Sequence, residues 1–409
     1  MHRDRFEWRN TLRISVEVKK DIYWVGGLDW SVRDFHGYST MKGTTYNAYL
    51  VMDDKITLFD TVKKPFKNDL LHCIYKVVEP SKIDYLVVNH VEPDHSGSLP
   101  EIMEIVKPEK LFCSPRGKKA LLEHYHREDW PYEVVGSGAE ISLGKRTVQF
   151  LETRMLHWPD SMFSYLKEDA VLISNDAFGE HWATSERFND EVDSAELFQH
   201  AAKYYANILL PYSGLVQKLI AEMQKLNLKI DMICPDHGLI WRDDPLQIVA
   251  AYDAWSKQVG KQKAIIVYDS MWNSTQTMAK AISDGLVQGG VAAKIMDLRA
   301  DHRSDVMTEL MDARAVIVGS STLNNNMLPR MADMLTYMKG LRPQNKLGAA
   351  FGSYGWSGEA VRLITKTLEE MKFNVLNPGV SLQYVPAHEG LRQCVELGRE
   401  IARAVKEGT

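Results

Sequence analysis

Apolar residues in this chain follow two rhythms. From about 12 to 60 they form short strand-like runs: Ile14-Ser15-Val16-Glu17-Val18, Ile22-Tyr23-Trp24-Val25, Tyr46-Asn47-Ala48-Tyr49-Leu50-Val51 and Ile56-Thr57-Leu58-Phe59. Gly and Asp-Asp turns separate them, which reads as a β-meander. An amphipathic helix fits 65–78 and a buried strand 85–89. A helix near 98–106, a strand at 110–113 and a helix at 115–126 follow. Strands fit 147–152, 163–166, 170–174 and 230–234, with helices over 191–210 and 215–226. Strands and helices in two halves predict an αββα sandwich.

Past a helical stretch at 245–258 and the polar break Gly260-Lys261-Gln262-Lys263, strand and helix alternate regularly. Strands fit 264–268, 292–297, 315–319, 347–352 and 379–382. Helices fit 275–288, 328–338, 357–371 and 388–406. Such alternation predicts a doubly wound parallel sheet. The expected α/β architecture therefore has two domains, 1–258 and 259–409.

Composition narrows the functional classes. The 409 residues are 45% hydrophobic and 25% charged, as in a soluble globular protein. A net charge of −5 gives no support to nucleic-acid binding. No apolar run approaches the roughly 20 residues that span a bilayer. Met1-His2-Arg3-Asp4-Arg5 leads into polar sequence, so a cytoplasmic location is expected. None of Cys73, Cys113, Cys234 and Cys394 forms a Cys-x-x-Cys pair. That argues against a disulfide framework, a zinc knot and a built-in rubredoxin-type iron site.

The chemistry concentrates after strand ends. The run Tyr85-Leu86-Val87-Val88 leads into His90-Val91-Glu92-Pro93-Asp94-His95, four potential metal ligands in six positions. His157, Asp176 and His237 each follow another strand-like run. Four imidazoles and three carboxylates are too many for one ion but suit two ions bridged by a carboxylate. Carboxylates are harder donors than imidazole and favour iron.

The spacing His-x-x-x-Asp-His, then a distant His, an Asp and a final His, resembles the metallo-β-lactamase superfamily. Zinc hydrolases of that superfamily carry His where this chain has Glu92, and that exchange is the mark of flavodiiron proteins. The segments Asp29-Trp30-Ser31-Val32-Arg33-Asp34-Phe35-His36-Gly37 and Leu156-His157-Trp158-Pro159-Asp160-Ser161 are similar to the core of bacterial flavorubredoxins. The resemblance implies His90, Glu92 and His157 on one iron, Asp94, His95 and His237 on the other, and Asp176 as the bridge. It also implies a second-sphere role for the loop residue His36. Of Tyr204 and Tyr205, one would line the pocket and the other would belong to the core.

In the C-terminal half the first strand ends in Asp269-Ser270-Met271-Trp272-Asn273-Ser274-Thr275 before a helix. Hydroxyls and backbone N–H groups at a helix start bind phosphate. The glycine-rich dinucleotide fingerprint is absent, so NAD fits poorly. Two later loops end matching strands: Ser320-Ser321-Thr322-Leu323-Asn324-Asn325-Asn326 and Gly352-Ser353-Tyr354-Gly355-Trp356-Ser357-Gly358. In flavodoxins such loops hold the isoalloxazine ring, which makes FMN the expected cofactor beside two non-haem irons.

The resemblance then implies an oxidoreductase that reduces NO to N2O, or O2 to water, with NO placed first. It implies a head-to-tail homodimer or a dimer of dimers. Electrons are expected from a separate rubredoxin or another low-potential donor. The alternatives are a predominantly O2-directed reductase, a zinc hydrolase joined to a flavodoxin, and an electron carrier with a degenerate lactamase-like domain.

Overall fold

The computed structural model describes residues 15–376 and 378–407. Ile14, the first residue of the expected opening strand, lies outside them. The chain forms two units. The first runs through Phe35 and includes Thr40–Tyr204 and Gly214–Asp253; the second comprises His36–Ser39, Tyr205–Ser213 and the chain from Ala254.

The first unit contains a 7-stranded and a 5-stranded sheet. In the larger one, Tyr85–Val88 runs parallel to both Thr57–Phe59 and Lys110–Cys113. Such a strand is covered on both faces, which explains its unbroken apolar sequence. In the smaller sheet, Thr147–Glu152 pairs Met162–Leu166, which pairs Val171–Ile173, which pairs Met232–Cys234. Val148, Phe150, Met162, Val171 and Ile173 join Leu86, Val87 and Phe112 in one buried cluster. Burying each such side chain stabilises the fold by roughly 1.5–3 kcal/mol. Four strands of this sandwich therefore end at one rim, and His90, His157, Asp176 and His237 lie just beyond them.

Several elements differ from the sequence reading. The run Tyr46–Val51 is two strands, Thr44–Tyr46 and Tyr49–Val51, in different sheets. Asn47 sits at the break, where its backbone N–H donates to the Asp236 carbonyl (2.7 Å) and its side-chain NH2 to the Pro235 carbonyl (2.8 Å). The break thus anchors the loop that carries His237. The expected helix over 191–210 is interrupted: α-helix Ser194–Tyr204 passes into a π-helical stretch Tyr205–Leu209 and a 3-10 turn Leu210–Tyr212. Pro211 lacks the N–H that a continuing α-helix needs. Short strands Tyr132–Val134 and Glu140–Ser142 add to the two sheets.

The second unit has a 6-stranded sheet in which Lys261–Asp269 lies between Ala292–Asp297 and Ala313–Ser320, followed by Leu347–Tyr354. All these pairings are parallel. Helix Arg303–Asp312, absent from the sequence reading, completes the alternation. It buries Val306, Met307, Leu310 and Met311, a helical i, i+4 face. Val380–Gln383 also pairs with Leu347–Tyr354. The loops at the carboxyl ends of these strands are where a doubly wound sheet binds its ligand.

Candidate active site

His90 follows the strand Tyr85–Val88, while Asp94 and His95 stand on the single helical turn Pro93–Ser96. With Glu92 they are almost completely buried, as are Asp176 and His237. His157 is half-buried. Two groups of metal-capable atoms result: His90, Glu92, His157 and Asp176 in one, and Asp94, His95 and His237 in the other.

Asp176 divides its oxygens between the groups. Its Oδ2 is 3.2 Å from both His90 Nε2 and His157 Nε2. Its Oδ1 is 3.1 Å from His95 Nε2 and 3.4 Å from His237 Nε2. Glu92 Oε2 is 3.2 Å from His90 and from His157, and Asp94 Oδ2 is 3.1 Å from His237. Imidazole Nε2 atoms and carboxylate oxygens thus converge on two adjoining points. Both Asp94 oxygens and Asp176 Oδ2 are buried without a hydrogen-bond donor of proper geometry. Buried carboxylate oxygens in that condition are costly unless a cation meets them. The donor set, three carboxylates and four imidazoles shared across a bridge, fits two iron ions.

Electrostatics agree. Burial would depress the imidazoles, yet surrounding carboxylates hold His90 well above its ordinary value, with Asp160 first among them. His95 is raised to about 10 by Asp94 and Asp176 against its burial, and His157 to about 9 by Asp176 and Glu92. Burial pushes Asp176 upward, but His95, His157 and His90 hold it well below the carboxylate range. Without metal, protons on these imidazoles neutralise the carboxylates.

Behind these metal-capable residues lies a layer that the sequence reading missed. His90 Nδ1 is 3.0 Å from Asp160 Oδ2, which also accepts the Val91 backbone N–H at 2.7 Å. His237 Nδ1 instead meets the Thr45 carbonyl at 2.6 Å. Such partners fix the ring and leave Nε2 free for metal. Asp160 lies only three residues past His157, but its burial, which shows that it needs a partner, is visible only in the structure.

Tyr204 is fully buried against His181 and His237, with ring centroids 5.1 and 6.2 Å away. Burial and then the Asp176 charge push its hydroxyl well above the usual range. Tyr205 points elsewhere: its hydroxyl meets Ser213 Oγ at 3.1 Å and its ring packs on Trp255. His36 has φ 55. Its neighbour Phe35 packs on the rings of His181 and His237 at 4.8 and 6.0 Å.

In the second unit, Met271, Trp272, Ser274, Ser321 to Asn325 and Ser353 to Ser357 line one cavity of 790 Å3. No lining residue is charged. Ser270, Asn273, Thr275 and Gly358 are not on its wall. Thr275 lies beneath it, fully buried, with its hydroxyl 3.0 Å from those of both Ser321 and Ser353, which are 3.2 Å apart. This triangle ties three loops together at the start of helix Ser274–Gln288. Asn273 precedes that helix at φ 66, and Gly358 precedes Glu359–Glu370. The sequence reading missed Tyr384 and Val385, which also line the cavity. They follow the last strand at the same sheet edge, the position where a further loop was to be expected. Hydroxyls and amides at a helix start, with exposed Trp272 and Trp356 rings above, suit a phosphate attached to a flat aromatic ring.

Comparison with known proteins is consistent with both halves. Residues 44–238 match the ODP family beta lactamase and residues 266–398 match flavodoxin. The chain is 50% identical over 395 residues to a nitric oxide reductase of Moorella thermoacetica, covering 96% of this chain and 99% of that one. It is 48% identical to the rubredoxin-oxygen oxidoreductase of Megalodesulfovibrio gigas, covering 96% and 98%. Among solved structures, the flavodiiron protein of Giardia intestinalis superposes with a TM-score of 0.93 at 35% identity, covering 96% and 97%.

Proposed function

Since the chain belongs to the flavodiiron family, we propose that it reduces nitric oxide, dioxygen or both, using FMN and a pair of non-haem irons. The observation that carries this reading is the division of Asp176 between two groups of ligands, Oδ2 toward His90 and His157 and Oδ1 toward His95 and His237. Bound iron would supply open coordination positions and reducing electrons for the diatomic, and bound FMN would supply two electrons that can be passed on singly.

His90, Glu92 and His157 hold one ion, and Asp94, His95 and His237 hold the other. Asp160 keeps the proton on His90 Nδ1, so that Nε2 faces the metal. Tyr204 closes the pocket over His237 and excludes water from that side. Its hydroxyl, too weak an acid to ionise in this setting, serves as a hydrogen-bond donor. His36 is assigned the supply of protons, which both reductions consume. The loops 270–275, 321–325 and 353–358 hold FMN, with Asn side chains and backbone amides on its polar ring edge.

A rubredoxin or another low-potential carrier supplies electrons, and a head-to-tail homodimer, alone or paired, is the working assembly. The domain boundary is placed at 258/259. Among the described residues no helix is long and apolar enough to cross a membrane.

Anaerobic stopped-flow mixing of the reduced, iron- and FMN-loaded protein with NO, and separately with O2, tests the function. Rapid oxidation of flavin together with iron by at least one gas is expected, with NO the faster. Absence of reaction with both gases would overturn the reading. Two tightly held zincs in protein made with ample iron would favour the hydrolase alternative.

A further inference from the structure

One row of aromatic rings leads from a metal ligand to the surface of the first unit. The Trp158 ring stands edge-on to His90, with centroids 5.4 Å apart at 83°. On its other side it meets His124 at 6.3 Å. His124 meets Tyr125 at 5.9 Å, Tyr125 meets Trp130 at 5.7 Å, and Trp130 meets Tyr132 at 6.1 Å. Trp158, Tyr125 and Tyr132 are half-buried, His124 is exposed and Trp130 is buried, so the row joins the centre to rings that solvent reaches. Four of its rings are the indoles and phenols that proteins can oxidise by one electron.

We propose that this row is an exit for oxidising equivalents, protecting the metal centre when O2 arrives faster than electrons. The inference rests on the oxygen-reducing reading above. In that condition the centre is left one electron short and strongly oxidising, with its own ligands as the nearest targets. Trp158 gives it one electron and becomes an indole radical cation. Tyr125 refills Trp158 across the His124 ring and releases its phenolic proton to water. Trp130 then reduces the Tyr125 radical, which takes a proton back from water, and Tyr132 reduces oxidised Trp130 while releasing its own phenolic proton to water. A soluble thiol returns a hydrogen atom to Tyr132, and the thiyl radicals of two such turns join as a disulfide, so that two thiols yield two electrons and two protons.

The surroundings suit this direction. The Tyr125 hydroxyl donates to the Ser96 carbonyl at 2.8 Å, which steadies the ring without adding positive charge. Arg127 lies over Trp130, but its charge is met by Glu104 and Asp129 at 3.0 and 2.8 Å. Tyr46 and Tyr204 also lie near a ligand, at 5.9 and 6.2 Å from His237. Both are buried, whereas Trp158, Tyr125 and Tyr132 are half-buried.

The test gives the loaded, reduced protein repeated pulses of O2 with limiting electrons, follows oxygen consumption, and maps oxidised side chains by peptide mass spectrometry. Expected marks fall on Trp158, Tyr125, Trp130 and Tyr132. In Trp158→Phe the outer three lose their marks, the ligands gain them, and inactivation comes after several-fold fewer turnovers. Iron content and spectrum establish that this variant keeps its centre. If it does not, Tyr125→Phe with Trp130→Phe takes its place, with marks expected to accumulate on Trp158. Oxygen consumption without marks on this row, or marks on the outer residues unchanged by these variants, overturns the exit. Absence of oxygen consumption overturns the exit and the oxygen-reducing reading together.

Discussion

The metal centre and the flavin cavity hold charged groups in opposite ways. The first gathers seven ionisable side chains, six of them almost wholly buried, and each needs the others or a cation to remain there. The second has no charged residue on its wall. It offers hydroxyls, amides and a helix start, beneath two tryptophans that are each 88% exposed. The metal side is an interlocked set in which one deletion leaves a buried charge without its counterpart. The flavin side is a sum of neutral contacts, each worth little alone. Substitutions should therefore differ sharply in cost between the two.

Asp176→Ala should have the largest effect, because its two oxygens serve both groups. Iron is expected to fall below one per chain. Consumption of NO and O2 is expected to fall by more than the roughly 10–100-fold that loss of an outer partner costs. Metal analysis and gas-electrode assays check this. FMN content should stay unchanged, and its loss would show that the two sites are not separable in this way.

Asp160→Asn comes next. The amide has nearly the same shape as the carboxylate, but it carries no charge behind His90. Iron affinity is expected to drop roughly 10–100-fold, read by chelator competition. The Mössbauer signal of the iron beside His90 and His157 should shift more than that of its neighbour, whose outer partners, the Thr45 carbonyl at His237 and Asp236 near His95, are untouched by the substitution. Equal shifts in both signals would count against the assignment of separate outer partners.

How much of this was legible in the sequence differs in the same way. All seven residues that gather in the two metal-capable groups could be read, because each stands just after an apolar run or in one dense segment. The role of Asp160 could not be read. It is set by a ring that arrives from 70 positions away, and pairing across a sandwich leaves no local period. That Asp176 would bridge came only from the resemblance; which of its oxygens faces which group depends on where four separate strand ends meet. The flavin loops were legible from their strand–loop–helix order. Tyr384 and Val385 were missed because a Tyr-Val-Pro run lacks the hydroxyl-rich look of the other loops. In the fold, the sandwich and the doubly wound sheet followed from periodicity. Helix Arg303–Asp312 was overlooked because charged residues interrupt its short apolar face. The helix expected over 191–210 breaks where Pro211 and the π-helical stretch intervene.

A pH series separates the proton-filled from the iron-filled centre. His95 and His157 have folded values of about 10 and about 9, above the ordinary imidazole value near 6.5. Their protonation therefore stabilises the metal-free fold fully below about pH 6.5, and this is lost as pH rises through 9 to 10. Asp94 and Asp176 act at the other end. Their lowered values contribute stability above about pH 3.8 that is lost on further acidification. The melting temperature of metal-free protein should fall by several degrees between pH 6.5 and 10. Iron-loaded protein should not show that slope, because metal occupies the sites of those protons. Identical slopes in calorimetry would mean that the imidazoles are not charged in the metal-free protein.

Thr275→Ala should have the smallest effect, and it probes the comparison from the flavin side. The lost hydroxyl touches Ser321 and Ser353, which remain 3.2 Å apart and can pair with each other. No charge is stranded, so the loss is about 1 kcal/mol. That corresponds to roughly a fivefold weaker FMN affinity, measured by fluorescence titration of the flavin-free protein. Riboflavin, which lacks the phosphate, separates two roles for the hydroxyl. If only FMN weakens, the hydroxyl acts on the phosphate. If both weaken equally, it orders the three loops. A loss of a thousandfold would instead mean that the triangle is as interlocked as the metal centre, and the contrast between a set of charges and a sum of contacts would fail.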